Sequence, residues 1–278
     1  MGVVEFATSP WGQTVPIHIS FALIWVCAIG GLLFLIGHAI WLRFFAPAEE
    51  YEPVSAPSGD LPAKVRRHSL AARLFHWVMA AAMLTLLFTA FAPKLGYQFG
   101  WVTYHWIAGL VLTASIVFHV IHASFWMDRW SIWPDRIDIR DALRRWKRAT
   151  GKSAPPPQRF AKYPLENKMY HFAIVLAGLS VTLTGVFMMK RVRTPFFTRN
   201  PYIFGDMTWG LMYVLHGLAG VGLIALIMMH IYFAVRPEKL VITKSMITGS
   251  LDGEHYKEHH DPERWPVAAA SRGAASGL

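Results

Sequence analysis

Histidine is the residue type with which this sequence could do chemistry, and most of its 13 histidines lie in or beside long apolar stretches. A ligand-capable side chain in apolar surroundings is costly and marks a functional candidate. His216 and His230 occupy one such stretch. Their separation in a helix leaves both within about 40° of one face and roughly 21 Å apart along the axis. Each imidazole is therefore placed to ligate a separate metal centre, one near each end of the helix.

Each of those centres needs a second ligand at the same depth. His105 begins another apolar stretch level with His216, and His76 begins a third, level with His230. Paired imidazoles between helices are ligands for non-covalent haem, so the spacing predicts two haems b. His119 lies as far beyond His105 as His230 lies beyond His216. The residues alone leave both His76 and His119 open as the partner of His230.

Small and basic residues accompany these histidines. Gly109 follows His105 by one turn and Gly220 follows His216 by one turn, which leaves room for a flat porphyrin. Arg73 precedes His76 by one turn and is expected to meet a haem propionate.

The remaining histidines have simpler interpretations. His171 is a candidate for quinone contact or proton relay, whereas His122 is expected to be structural. His18 and His38 are expected to pack on the first helix. For His255, His259 and His260 we weigh a metal cluster against a solvated tail and favour the tail.

The alternative function for the whole chain is a membrane anchor or solute carrier with purely structural histidines. A proton-pumping role is disfavoured because the apolar stretches contain neither Asp nor Glu.

The elements that position these residues are predicted transmembrane helices. Crossing a membrane takes roughly 20 apolar residues, and 54% of this chain is apolar. Five spans are predicted, at Ile17–Phe45, Ala71–Phe91, Trp101–Phe125, Met169–Met189 and Trp209–Val235. The fold class is all-α, a polytopic four-helix haem-binding bundle with one extra N-terminal transmembrane helix. Within the basic loop, Asp135–Arg148 is predicted to form an amphipathic surface helix.

The predicted organisation has four parts. Residues 1–45 form a periplasmic segment with the extra helix, 46–66 a cytoplasmic linker that includes Ser55–Pro62, 67–240 the cytochrome domain with its loop 127–167, and 241–278 a cytoplasmic tail.

Charge predicts orientation and partners. The net charge is +10, but the basic residues lie in loops beside apolar spans, which favours membrane lipid over nucleic acid. Lys and Arg are concentrated in the long loops and the tail, so these are expected in the cytoplasm and the N-terminus outside. The single cysteine, Cys27, excludes cysteine-held iron–sulfur clusters and covalent haem within this chain. The expected location is the bacterial cytoplasmic membrane.

The order of motifs resembles a known family over about residues 64–265. The residues that carry the resemblance are Arg73-Leu-Phe-His76-Trp77, His105 with Gly109, Lys162-Tyr163 with Lys168, Thr184-Gly185, His216, His230-Ile-Tyr232, Met246-Ile with Gly249, and Glu258-His259-His260 with Trp265. Together they resemble the cytochrome b (gamma) subunit of respiratory formate dehydrogenases. Related cytochromes serve hydrogenases and other molybdenum enzymes.

The resemblance implies that His76, rather than His119, is the inner ligand. It also implies electron transfer between a periplasmic catalytic subunit with its iron–sulfur partner and a membrane quinone, with a possible higher oligomer of the complex. The family's quinone region falls at Lys162–Lys168, where Asn167 could bond a quinone carbonyl and Glu166 could supply a proton. Pro164, Glu166 and Asn167 depart from the family pattern here. The chain is expected to carry electrons and react with quinone, without substrate catalysis of its own. A stand-alone cytochrome b remains an alternative.

Overall fold

The computed structural model describes residues 2–46, 50–53 and 61–267. Eight α-helices dominate this part of the chain, and the predicted all-α class is confirmed. The helices are α1 Ala22–Phe44, α2 Leu70–Phe91, α3 Trp101–Trp126, α4 Arg136–Ala149, α5 Leu165–Met188, α6 Asp206–Val235, α7 Leu240–Thr248 and α8 Gly253–His259. Most of the Ser55–Pro62 linker and most of the C-terminal tail beyond Trp265 lie outside the described residues.

Five of the described helices, α1, α2, α3, α5 and α6, are long and apolar enough to cross a membrane. They correspond to the five predicted spans. Their outward side chains are large and apolar, such as Leu33, Phe88 and Leu176. An apolar surface of this kind is stable in contact with the hydrocarbon core of a lipid bilayer. The chain is therefore a multi-pass membrane protein.

Two short antiparallel sheets were not predicted. They pair β1 Val4–Thr8 with β2 Thr14–Ile19, and β3 Lys64–Arg66 with β4 Ser250–Asp252. The first sheet is a hairpin whose turn contains Gly12 at a φ of 78°, which glycine adopts without steric cost. The predicted first span was wrong at its start, because residues 17–19 belong to β2 and the helix begins at Ala22. His18 consequently lies on a strand, with its Nε2 3.5 Å from Glu5.

One compact unit comprises residues 1–37, 74–125 and 172–232. Within it, β2 lies directly against α6 at two glycines of one helix face. A Cβ at Gly210 would overlap the Pro16 carbonyl, and one at Gly217 would lie 3.0 Å from Ile19. Further along α6, Ala225 and Met228 pack at Gly31 of α1. The extra N-terminal segment is thereby packed along the helix that carries His216 and His230.

The second compact unit comprises residues 38–73, 126–171 and 233–278. Its small core is formed by Val65, Leu251 and Tyr256, which are almost fully buried. The β3–β4 sheet and α8 therefore belong to a folded module. The expected solvated tail is wrong for residues 253–265, because Tyr256 is fully buried and meets Trp265 edge-on with ring centroids 5.2 Å apart.

Helix α4 belongs to this second unit, and the prediction of a helix at Asp135–Arg148 is confirmed. Asp135 caps it through a reciprocal capping box with Asp138. Asp138 is buried and accepts hydrogen bonds from Lys168 at 2.6 Å and from Arg264 at 2.7 Å. A buried carboxylate needs such partners to offset the loss of hydration, so this network fixes α4 to the start of α5 and to the C-terminal segment.

The packing of β2 on α6 generates a prediction. We expect Gly210→Ala to displace β2, because the new Cβ would occupy the space of the Pro16 carbonyl. Hydrogen exchange of the amides in β2 should become faster and the thermal midpoint should fall. Gly222→Ala is the matched control on the same helix, where a Cβ meets nothing within 4 Å and alanine stabilises a helix by about 0.5–1 kcal/mol. Equal behaviour of the two variants would contradict the packing.

Candidate functional site

The first histidine pair joins α3 to α6. The ring centroids of His105 and His216 are 6.2 Å apart, and the two ring planes are inclined at 64°. Each ring is held by a threonine of a neighbouring helix. Thr89 of α2 lies 2.9 Å from His105 Nδ1, and Thr184 of α5 lies 2.9 Å from His216 Nδ1. All four helices of the predicted bundle therefore contribute to this pair.

The threonine contacts fix the imidazole tautomer. Each threonine hydroxyl donates its own proton to a carbonyl of its helix, Thr89 to Thr85 and Thr184 to Ser180. The hydroxyl oxygen then accepts from the Nδ1–H of the histidine. Because a neutral imidazole carries one ring proton, the Nε2 lone pair stays available for a metal. A hydrogen bond at the second nitrogen is the usual support of a metal-binding histidine.

The second pair joins α2 to α6. The rings of His76 and His230 have centroids 6.2 Å apart, the same separation as in the first pair. Ala72, one turn before His76, is buried. The His119 ring instead stacks on Phe75, with centroids 4.5 Å apart. The structure thus brings His76 and His230 together, while His119 lies against an aromatic ring.

Both pairs have the spacing that a shared metal ion requires. Two imidazole nitrogens at about 2.0–2.1 Å from one metal, with ring centres about 1.1 Å behind them, give a centroid separation of about 6.3 Å. The observed 6.2 Å agrees with this value in both pairs. Among the described residues, no group of three or more His, Cys, Asp or Glu side chains is placed to hold a metal ion. Two protein ligands fit haem iron, which takes its other four ligands from the porphyrin.

Glycines leave space beside the pairs. A Cβ at Gly220 would meet nothing within 4 Å, and one at Gly109 would only touch Leu86 at 4.0 Å. Gly178 of α5 is buried, yet a Cβ there also meets nothing. Gly185 has a different role, because a Cβ added there would lie 3.3 Å from the His216 ring. The glycine lets this ring lie close to the backbone of α5. The paired histidines and the open space at these glycines lie in the same part of the bundle. The residues present therefore fit a flat cofactor.

The other predicted site residues lie in the second unit. The Arg73 guanidinium donates to the Ile247 carbonyl, and its buried Nε has no partner among the described residues. Asn167 is exposed in the first turn of α5, and His171 is half-buried one turn later. Lys168 is only 2% exposed and is engaged by Asp138, so it is a structural residue within the predicted quinone segment.

The remaining histidines are in packing positions. His122 stacks on Phe118 at 5.5 Å, and His38 meets Phe233 edge-on at 5.2 Å. His255 stacks on His259 at 4.3 Å, and His260 is buried beside Trp265. These ring contacts make the C-terminal histidines part of the folded module.

The sequence reasoning missed Thr89 and Thr184 as supports of the first pair. Their signal is weak, because a threonine inside an apolar helix commonly bonds its own backbone. Thr184-Gly185 contributed only to the resemblance, without a role. Which threonine faces a histidine depends on the rotation of two neighbouring helices, and single-helix periodicity does not contain that information.

Comparison with known proteins agrees with this geometry. A search of curated proteins found no match. The family model described as prokaryotic cytochrome b561 matches residues 67–249, a range that spans α2 to α7 and contains both histidine pairs. Members of this family are membrane electron-transfer proteins that bind haem b. The chain belongs to the prokaryotic cytochrome b561 family.

Proposed function

We propose that this chain is the di-haem cytochrome b subunit of a respiratory oxidoreductase of the formate dehydrogenase type. It carries electrons between an iron–sulfur partner with its periplasmic catalytic subunit and the membrane quinone pool. The observation that supports this most directly is the pair of equal 6.2 Å separations between facing imidazoles. Two such pairs on one helix suit two cofactors at different depths.

The proposed roles follow from the positions of the residues. His105 and His216 hold one haem, and His76 and His230 hold the other. Each haem, when bound, accepts and releases one electron at a time. The two ligand levels on α6 are roughly 21 Å apart along the axis, which is most of the hydrocarbon thickness. Arg73 keeps an unbonded Nε donor one turn before His76, in a position suited to a propionate.

Charge distribution supports the proposed orientation in a bacterial inner membrane. The segment 127–167, between α3 and α5, is strongly basic, whereas residues 92–100 contain only Lys94. The positive-inside rule then favours a cytoplasmic C-terminus and a periplasmic N-terminus. In this orientation the His105–His216 pair lies toward the periplasm, and the His76–His230 pair toward the cytoplasm.

The start of α5 is the proposed quinone region. Asn167 and Glu166 are exposed in its first turn, and His171 follows. An amide can donate to a quinone carbonyl, and a carboxylate or imidazole can deliver a proton. Lys168 holds the turn in place through its buried bond to Asp138. Proton uptake would then occur from the cytoplasmic side.

The ordered motifs favour the formate dehydrogenase type over the related hydrogenase and other molybdenum-enzyme cytochromes. Cys27 is the single cysteine of the sequence, so an iron–sulfur donor must come from a partner chain. The packed N-terminal hairpin and α1 add lateral surface to the four-helix bundle, which suits assembly into a larger complex.

The ligand assignment is tested by the haem content of His76→Ala and His119→Ala. We expect about two haems b per chain in the wild type, about half in His76→Ala, and the wild-type content in His119→Ala, because His76 faces His230 whereas His119 stacks on Phe75. The measurement is a dithionite-reduced minus air-oxidised spectrum with haem quantified per folded chain. A half-loss in His119→Ala alone would move the ligand to α3. A colourless, folded wild type would support a structural anchor or carrier instead.

The threonine support of the first pair gives a second prediction. Thr184→Val removes the acceptor for His216 Nδ1–H, and we expect about 10-fold to 100-fold weaker retention of one haem, as for other outer-shell ligand contacts. Haem release to apomyoglobin over time measures this. Thr113→Val is the control, because the Thr113 hydroxyl donates to the Gly109 carbonyl of its own helix. Identical release rates in all three proteins would show that the contact has no such role.

The quinone assignment is tested with Asn167. In Asn167→Ala we expect slower oxidation of the pre-reduced protein by a short-chain quinone, by about 10-fold for the loss of one hydrogen bond, with an unchanged haem spectrum. Thr150→Ala, in the exposed turn after α4, is the control for a surface substitution in the same unit. Oxidation at the wild-type rate in Asn167→Ala would place the quinone elsewhere.

A further inference from the structure

A cluster of basic side chains lies in the second unit. Its centre is Arg67, which directly follows β3 and is only 4% exposed. Its Nε and Nη1 atoms are buried and have no hydrogen-bond partner within the described ranges. A guanidinium remains charged at physiological pH, and burial of an unpaired charge is strongly unfavourable. The position therefore requires a compensating group.

Aromatic rings provide part of that compensation. The Arg67 guanidinium lies over Tyr163 at 5.3 Å and over Trp265 at 5.7 Å from the ring centroids. The Lys162 ammonium lies 5.5 Å from the same Tyr163 ring. Two cations on one ring are held by its quadrupole, but neither is neutralised by it. Burial raises the pKa of the Tyr163 phenol, so this ring carries no negative charge at neutral pH.

Two histidines enlarge the cluster. His255 and His260 lie with ring centroids 6.3 Å apart, and the Nε2 atom of each is buried without a partner among the described residues. His260 Nδ1 donates to the Ala161 carbonyl at 2.8 Å, so its orientation is fixed. Burial and the Arg67 charge lower the pKa of His260 to about 3. Arg67 also acts electrostatically on His255 and Lys162, which places all four in one neighbourhood.

Several carboxylates of the same unit are committed to other cations, whereas Asp128 acts electrostatically on Lys162 and Asp261 on Tyr256. Asp138 and Asp135 bond Arg264, and Asp252 pairs with Lys64. Glu258 favours the charged form of His255 but is a minor influence beside burial. The cluster therefore has several donors, and the buried Nε and Nη1 of Arg67 at its centre have no hydrogen-bond partner among the described residues.

We propose that Arg67, Lys162, His255 and His260 form a binding site for a phosphate-type oxyanion. This inference goes beyond the proposed electron transfer, and it shares with it only Lys162, the first residue of the segment assigned to the quinone. Such an anion has several acceptor oxygens and can bond the Arg67 guanidinium and the Lys162 ammonium together. The Nε2 lone pair of neutral His260 can accept from a hydroxyl of the phosphate or of its headgroup. Lys162 and His255 are partly buried, in contrast to Arg67 and His260, and they provide the approach from the surface. The phosphate belongs either to an anionic phospholipid headgroup or to free inorganic phosphate.

The test uses the full-length haem-loaded protein in detergent, depleted of lipid, and titrated with inorganic phosphate. Wild type should bind phosphate with a rise in thermal midpoint, and Arg67→Gln should bind at least about tenfold more weakly, the loss expected for one charged hydrogen bond. Arg66→Gln is the matched control, because Arg66 is the exposed neighbour with the same charge. In phosphate-free buffer Arg67→Gln should be at least as stable as wild type, since it removes an unpaired buried charge. If it does not fold, His260→Gln replaces it.

A second arm distinguishes the sources. Wild type and both variants are reconstituted into nanodiscs of phosphatidylcholine with or without phosphatidylglycerol. Stabilisation by phosphatidylglycerol alone, lost in Arg67→Gln and kept in Arg66→Gln, identifies a lipid headgroup, whereas a response to inorganic phosphate identifies the free ion. No response of wild type to either probe overturns the proposal. An equal loss of stabilisation in Arg67→Gln and Arg66→Gln also overturns it. Loss of haem in Arg67→Gln overturns it too, because the anionic partner of Arg67 would then be a haem propionate.

Discussion

The facing of two imidazoles across a gap that fits one metal ion is the constraint on which the bundle depends. It occurs twice, with the same 6.2 Å separation, and both pairs use α6. Because the two histidines on α6 share a face within about 40°, the rotation of this one helix sets both pairs at once. The hairpin at Gly210 and Gly217, and α1 at Gly31, pack on other parts of α6. The N-terminal segment therefore restrains the helix from the side that does not carry these histidines.

Much of the architecture could be predicted from the sequence because membrane helices obey a simple rule. A stretch of sufficient apolar length must be helical, since backbone polar groups have no other partners in hydrocarbon. The five spans were found for this reason, and helix α4 was found from its amphipathic pattern. The N-terminal hairpin was missed, because Ile17–Ile19 were joined to the first span. The folded module around Tyr256 was also missed, since its core combines residues from β3, β4 and α8 that are distant in sequence.

At the site, too, features of a single helix could be predicted, whereas contacts between helices could not. Spacing along one helix predicted that His216 and His230 share a face, and depth matching proposed His105 and His76 as partners. Depth matching could not separate His76 from His119, because both satisfy it, and the choice depended on a family resemblance. The structure adds the relative rotation of the helices, which turns His119 toward Phe75 and Thr184 toward His216. Buried ionic contacts such as Asp138 with Lys168 and Arg264 depend on three separate segments, so no local pattern predicts them.

The bonds from Thr89 and Thr184 have a consequence for the assembly of the protein. They hold the imidazoles of His105 and His216 through groups that belong to the polypeptide alone, so the rings are oriented before any cofactor arrives. A binding site that is ordered in advance loses less conformational entropy when it is filled. The two threonines therefore lower the conformational cost of binding a cofactor at this pair.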